Sequence, residues 1–310
     1  MLIKYLESSA TGDDVDLSCL EELGELVCLN VETKEEMQEA VRDADVIIVN
    51  KLKVNEETIG QAKNLKLVCE AATGVDNIDV EYLQQKGIEW RNVAGYSTDA
   101  VAQHTFAMVL YLEESLAYYD RYVKDGDYLK STSFTHFAKG FHELAGKTWG
   151  IIGLGAIGRK VASIAQAFGC RVIYYSASGQ KGQEGYEQVD FDILLTESDY
   201  LSIHAPLNGY TMHLMDQSAF AKMKKSAILI NVGRGLIVDQ QALYDALINE
   251  EIRAAGLDVL EKEPMQEDNP LFAIKDSEKL LITPHMAWAG VEARNRLIRT
   301  IADQIRTVIK

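Results

Sequence analysis

The sequence predicts an α/β protein made of two doubly wound parallel sheets, and three observations lead there. Short apolar runs alternate with amphipathic stretches from the first residue to about 98. A second series of the same kind begins at Thr148, after a long helical pattern and a polar, aromatic stretch. That second series opens on G-x-G-x-x-G, set between a strand-like run and an amphipathic one.

In the first series, "LIKYL" (2–6), "ELVCL" (25–29), "DVIIV" (45–49), the run at 66–69 and "IEW" (88–90) read as strands. Helical segments lie between them, near 13–23, 33–43, 55–63 and 77–86. In "GYSTDAVAQHTFAMVLYLEESLAYYDRYV", Val101, Met108, Leu112 and Leu116 keep helical spacing, and Ser97, Thr98 or Asp99 offers a cap. One helix of more than twenty residues is expected there, long enough to pass between domains. Strands of the second series fall at 148–152, 171–175, 199–203, 227–231, 253–257 and 280–282, a six-strand doubly wound pattern. The tail "AWAGVEARNRLIRTIADQIRTVI" reads as an amphipathic helix returning to the first domain. The expected division is therefore 1–98 with 287–310, enclosing 99–286.

Bulk properties exclude several classes of function. A chain of 310 residues accommodates two domains with their own cores. A net charge of −16 without a basic patch argues against nucleic acid or an anionic membrane as partner. No apolar run approaches a membrane span, and the N-terminus lacks a secretory h-region. Cys19, Cys28, Cys69 and Cys170 are scattered in apolar contexts without C-x-x-C spacing. Buried free thiols, a cytoplasmic protein and no metal site are the expectation.

The glycine motif carries the first chemistry. Gly153 permits a tight turn, Gly155 lets a pyrophosphate approach the backbone, and Gly158 lets helix and strand pack closely. Amides at the start of the helix then face the phosphates. In such a sheet, ligands gather at the carboxyl ends of the strands, so polar residues that follow apolar runs are the candidates. They are His204, Asn231 with Arg234, Asp258 with Glu263, and His285. Reduction of a 2-oxo acid needs a guanidinium on the carboxylate and carbonyl, an imidazolium to protonate the carbonyl oxygen, and a carboxylate to fix that imidazole. Arg234, His285 and Glu263 suit these roles, although spacing alone does not choose between His204 and His285. The blander readings stand beside them: His104 as a helix residue, His136 and His142 in the polar segment, His213 in a loop, and Asp239 as a helix cap.

Seven segments in order, "ATGVDNID", "GYSTDAVAQHTFAMVLYL", "GIIGLGAIGRKVA", "SIHAPLN", "INVGRGLIVD", "GLDVLEKEP" and "ITPHMAWAGVEAR", resemble the D-isomer-specific 2-hydroxyacid dehydrogenases over essentially the whole chain. The resemblance implies a Rossmann-type nucleotide domain inserted in a discontinuous flavodoxin-like substrate domain. It implies that Arg234 binds the substrate carboxylate and carbonyl, that His285 is the acid/base, and that Glu263 supports it. Thr73 and Gly74 would offer amides to the carboxylate across the interdomain cleft. Gly153, Gly155, Ala156, Ile157, Gly158, Val232 and Gly233 would line the cofactor, and Asp258 would meet the nicotinamide carboxamide. His204, Ala205 and Pro206 would line the adenosine side, which decides between the two histidines. The stretch 120–147 looks like the family's dimerisation region, implying a homodimer. "GYSTDAVAQHTF" and "HMAWAGVEAR" look most like glycerate (hydroxypyruvate) dehydrogenases, pointing to hydroxypyruvate or glyoxylate. Trp288 either shapes the substrate end or is a packing aromatic at a helix start.

One position departs from the NAD-preferring pattern. The tip of the second strand, where an Asp or Glu would hold the adenosine ribose, is Ser176. "SASGQKGQEG" offers Ser178 and Lys181 to a 2′-phosphate, but no Arg, and Glu184 follows. NAD is the expected cofactor, with NADP tolerated or even preferred. Rival readings are a nucleotide-dependent sensor of the C-terminal-binding corepressor kind, or a D-lactate, phosphoglycerate or formate dehydrogenase of the same fold.

Overall fold

The computed structural model describes residues 1–179 and 185–308; the expectations for Lys181 and Glu184 fall outside them. The chain divides into two compact units, Met1–Ser97 with Trp288–Lys310, and Thr98–Ala287.

The first unit holds strands β1 (Leu2–Tyr5), β2 (Glu25–Cys28), β3 (Val46–Val49), β4 (Leu67–Glu70) and β5 (Glu89–Asn92). They form one parallel sheet in the order β2-β1-β3-β4-β5. Burial follows that order. Every residue of β3 and β4 is buried, whereas the edge strands β2 and β5 keep exposed positions. A central strand covered by helices on both faces is expected to be apolar, and Glu70 at the end of β4 is the exception. The helices are α1 (Ser18–Glu21), α2 (Lys34–Ala40), α3 (Glu56–Ile59) and α4 (Val80–Lys86). Thr33 and Asn55 close capping boxes on α2 and α3, and Asp79 caps α4, which ends at the left-handed Gly87. Both α1 and α3 are shorter than the sequence pattern suggested.

The second unit begins with α5 (Thr98–Glu113) and α6 (Leu116–Lys124). The single long helix expected here is broken at Ser115, whose φ is +51°. Helical spacing continues through Leu116, but Ser115 turns the chain between two separate helices. Strands β6 (Thr148–Ile152), β7 (Arg171–Tyr175), β8 (Glu187–Gln188), β9 (Tyr200–Ile203), β10 (Ile228–Asn231), β11 (Ala254–Leu257) and β12 (Leu280–Ile282) follow, with α7 (Ala156–Ala167), α8 (Phe191–Glu197), α9 (Gln217–Lys222) and α10 (Gln240–Ile248) between them. The sheet is parallel in the order β12-β11-β10-β9-β6-β7-β8. It therefore reverses direction between β6 and β9, which is where a doubly wound fold binds nucleotides. The two-residue edge strand β8 was invisible to apolar patterning because both its residues are polar and exposed.

Trp149 of β6 is fully buried, stacks near Phe106 of α5 (ring centroids 4.5 Å apart) and donates its indole N–H to Ser202. The last helix, α11 (Val291–Val308), buries Leu297, Ile298, Ile301 and Ile305 and packs in the first unit on α1, β4 and β5. Cys69 and Cys170 are buried free thiols, but Cys28 is exposed and Cys19 half-buried, correcting the expectation for those two. No helix among the described residues is long and apolar enough to cross a membrane.

Candidate active site

The glycine turn is built as its spacing implies. Gly153 follows β6 at φ +92°, and a Cβ there would sit 2.8 Å from the backbone of Ala205. A Cβ on Gly158 would meet the Gly153 carbonyl oxygen at 2.2 Å, so the first turn of α7 presses on the strand end. At Gly155, the residue before Ala156 and Ile157, a Cβ would meet only open space. Two of the glycines are thus demanded by protein backbone. The third leaves the helix mouth bare, as a bound pyrophosphate requires. These residues fit a dinucleotide.

Beside the turn, His204 follows β9. Its amide donates to the Ile152 carbonyl at 2.8 Å and its Nε2 lies 3.0 Å from Ser202 Oγ. Although the residue keeps some exposed surface, its Nδ1 has none and no partner. Burial pushes its pKa down to about 3, so the ring is neutral and unsuited to holding a proton for transfer. Pro206 turns the chain onward, its carbonyl accepting from Thr211. Ser176 directly follows β7, with its Oγ 3.2 Å from Ser178 Oγ.

On the other side of the reversal, β10, β11 and β12 are consecutive neighbours, with Asn231 opposite Leu257 and Leu257 opposite Ile282. Their carboxyl ends deliver Arg234, Asp258 and His285 over adjacent strands, about 5 Å per step. Asn231 shapes the Arg234 turn with both ends of its amide, donating to the Arg234 carbonyl (2.9 Å) and accepting from Gly233 N–H (3.0 Å). Val232 and Gly233 are half-buried in that turn. A Cβ on Gly235 would fall 2.0 Å from the Leu260 carbonyl, so the Arg234 loop lies directly against the loop that carries Glu263.

Glu263 and His285 meet. Nδ1 of His285 is 2.7 Å from Glu263 Oε2, and Glu263 Oε1 accepts from the Leu260 amide at 2.9 Å. A carboxylate cannot donate, so the proton of this bond belongs to Nδ1. His285 itself sits at φ +51°, in the left-handed region that non-glycine residues seldom adopt. Asp258 is only 2% exposed, with its carboxylate turned onto the residues after His285.

In the first unit, Thr73 donates its hydroxyl to the Val93 carbonyl and its own carbonyl accepts from Asn92. Among the described residues nothing accepts from the Thr73 or Gly74 amides. Trp288 packs edge-on against Tyr96, with centroids 6.4 Å apart, which favours its packing role. Asp239 caps α10, accepting from Ala242 N–H. Sequence reasoning passed over Gly235 and Thr283 and read His104 only as a helix residue; the R-G dipeptide signalled the first, the position directly after β12 signalled the second, and no pattern marked a role for the third.

A phosphate cradle on one side of a strand reversal and a carboxylate-tethered imidazole on the other are the equipment of a nucleotide-dependent oxidoreductase. Residues 106–287 match the family model described as D-isomer specific 2-hydroxyacid dehydrogenase, NAD binding domain. The chain belongs to the D-isomer-specific 2-hydroxyacid dehydrogenases. It is 35% identical over 277 residues to a glycerate dehydrogenase of Methylorubrum extorquens, covering 89% of this chain and 86% of the relative. It is 33% identical over 302 residues to a hydroxypyruvate reductase of Blautia hydrogenotrophica, covering 96% and 93%. Among solved structures, a D-lactate dehydrogenase from Aquifex aeolicus complexed with NAD and lactic acid superposes with a TM-score of 0.83 at 27% identity, over 99% of this chain and 95% of that one. The protein is accordingly a nicotinamide-dependent enzyme that reduces small 2-oxo acids to 2-hydroxy acids.

Proposed function

We propose that the enzyme reduces a short 2-oxo acid of the hydroxypyruvate or glyoxylate kind, with Arg234, His285 and Glu263 performing the chemistry. The observation that carries this reading is the 2.7 Å bond between His285 Nδ1 and Glu263. It fixes the tautomer and leaves Nε2 to give the proton that the carbonyl oxygen takes up as the C=O bond becomes C–OH. In the reverse direction the same atom removes the hydroxyl proton. The Arg234 guanidinium forks onto the substrate carboxylate and polarises the adjacent carbonyl. Thr73 and Gly74, with their unclaimed amides, are assigned to the same carboxylate. The nicotinamide, held from the glycine turn through Ala205 and Val232, supplies the hydride when bound.

His285→Gln keeps the ring's approximate size but has no acid to give. It is expected to lower kcat by about 10²–10⁴-fold, while fluorescence titration finds nucleotide affinity unchanged. An unaltered kcat would remove His285 from the mechanism.

Cofactor choice follows from Ser176. Without a carboxylate at the end of β7, the ribose loses one charged acceptor and a 2′-phosphate loses its repulsion. The site accepts both NAD and NADP on this reading. The assembly is a homodimer through residues 120–147, where Leu129, Phe134, Phe137 and Phe141 are exposed. With four free thiols, the protein is assigned to the cytoplasm.

A further inference from the structure

His104 stands on α5, far from the catalytic loops in sequence, yet it is bonded to the strand-end residue that follows β12. Its Nε2 is 3.0 Å from Thr283 Oγ1 and 3.6 Å from Asp258 Oδ1. Thr283 Oγ1 in turn donates to Asp258 Oδ1 at 2.6 Å. A hydroxyl has one proton, and the carboxylate takes it; the bond from His104 must therefore run from Nε2–H to the Thr283 oxygen. The polarity of the chain is thus set: His104 donates to Thr283, and Thr283 donates to Asp258.

What Asp258 does with the rest of its capacity gives the chain its purpose. Oδ1 also accepts from the Met286 amide at 2.9 Å, and Oδ2 accepts from the Ala287 amide at 2.8 Å. The Asp258 carbonyl takes the amide of His285 itself at 2.8 Å. One buried residue therefore grips three successive amides, those of residues 285, 286 and 287. In the middle of that grip His285 is held at φ +51°. A non-glycine residue in the left-handed region is unfavourable and persists only where its surroundings over-determine it. Asp258 is the over-determining group, and Thr283 with His104 hold its carboxylate in place from behind.

We propose that His104 is a positioning residue for the reduction: through Thr283 and Asp258 it fixes the strained turn that aims His285. The proposal rests on the reading of His285 as the acid/base. It gives Asp258 a duty beyond the nicotinamide carboxamide, since three of its acceptor positions are already engaged within the protein. His104 touches neither substrate nor cofactor on this account, and its effect is on geometry alone.

The experiment compares His104→Leu, which removes the donor, His104→Gln, whose amide N–H can replace it, and Thr283→Val, which cuts the chain at its middle in a near-isosteric way. Each is measured for kcat and KM with hydroxypyruvate, for its thermal midpoint, and for the NMR signal of the His285 Nδ1 proton shared with Glu263. Expected are falls in kcat of about ten- to a hundredfold in His104→Leu and Thr283→Val, KM and thermal midpoint near wild type, an altered His285 proton signal, and recovery in His104→Gln. Wild-type kcat and an unmoved His285 signal in both donor-less variants would overturn the proposal. So would losses that merely track a lowered thermal midpoint and are not rescued by Gln. Should His104→Leu fail to fold, Thr283→Val decides by the same readouts. Absence of turnover in the wild type would defeat the functional reading, and the His285 signal would then decide the positioning role by itself.

Discussion

His285 and Glu263 show what a residue-scale change should do. Glu263→Gln keeps the shape of the pair but lets an amide face Nδ1 with either end, so the tautomer is no longer dictated. A fall in kcat of about 10²-fold is expected, measured with saturating cofactor, while KM changes less. Ser176→Asp should restore a ribose acceptor and a repulsion against the 2′-phosphate. A shift of at least about tenfold in the NAD/NADP ratio of kcat/KM is expected, and an unchanged ratio would show that Ser176 does not govern the choice. Glu70 gives a prediction in pH. It is wholly buried at the end of β4, accepts from Asn77 at 2.9 Å through Oε2, and leaves Oε1 without a partner. Burial, with Glu7 and Asp76 adding and Lys51 opposing, pushes its pKa up to about 8 from an ordinary 4.5. The folded protein therefore holds this proton more tightly than the unfolded chain does. Its contribution is fully present below pH 4.5 and is lost as pH rises through 8, a limb worth on the order of several kcal/mol. Glu70→Gln should flatten that limb, so denaturant midpoints at pH 6 and pH 8.5 should converge in the variant and diverge in the wild type. The residues proposed to act, Arg234, Glu263 and His285, stood out as candidates because each follows an apolar strand. Glu70 follows an apolar run as well, but neither its burial nor the partners of His104 across the fold leave a trace in local pattern.

At the scale of elements, the parallel strands announced themselves wherever both faces are covered. β3, β9, β10 and β11 are wholly buried and read as apolar runs, broken only by Ser202 in β9 and ended by Asn231 in β10. Edges were harder, and β8 has no apolar residue to betray it. The division of one predicted helix into α5 and α6 at Ser115 has the same origin: spacing records which face is buried but not a single left-handed residue. Glycines make the sharpest test here. Gly235→Ala would drive a Cβ into the Leu260 carbonyl at 2.0 Å, forcing apart the loops that carry Arg234 and Glu263. The expectation is a loss of more than about 10-fold in kcat/KM together with a destabilisation of about 1–3 kcal/mol. At Gly155, where a Cβ meets only open space in the protein, Ala should leave stability within about 1 kcal/mol of wild type and weaken nucleotide binding instead. Calorimetry and fluorescence titration on the two variants separate these outcomes.

For the whole molecule, the two sheets and the return of α11 to the first unit followed from the alternation of strand and helix and from the amphipathic tail. Assembly was less legible from composition, because the aromatic residues of 120–147 are interspersed with charge. Phe134 and Phe137 are 89% and 87% exposed, a large apolar surface for a segment of this length. Replacing both with Ser should turn the proposed dimer into a species of single-chain mass by light scattering, whereas a wild-type protein already of single-chain mass would refute the dimer. The central claim concerns chemistry, and one measurement reaches it most directly: steady-state oxidation of NADH and NADPH by the purified protein with hydroxypyruvate, glyoxylate, pyruvate and phenylpyruvate. Turnover with hydroxypyruvate or glyoxylate, well above that with phenylpyruvate and with either nucleotide, is the predicted result. Tight nucleotide binding without turnover of any of the four acids would contradict it, and would leave a nucleotide sensor as the reading that the fold still permits.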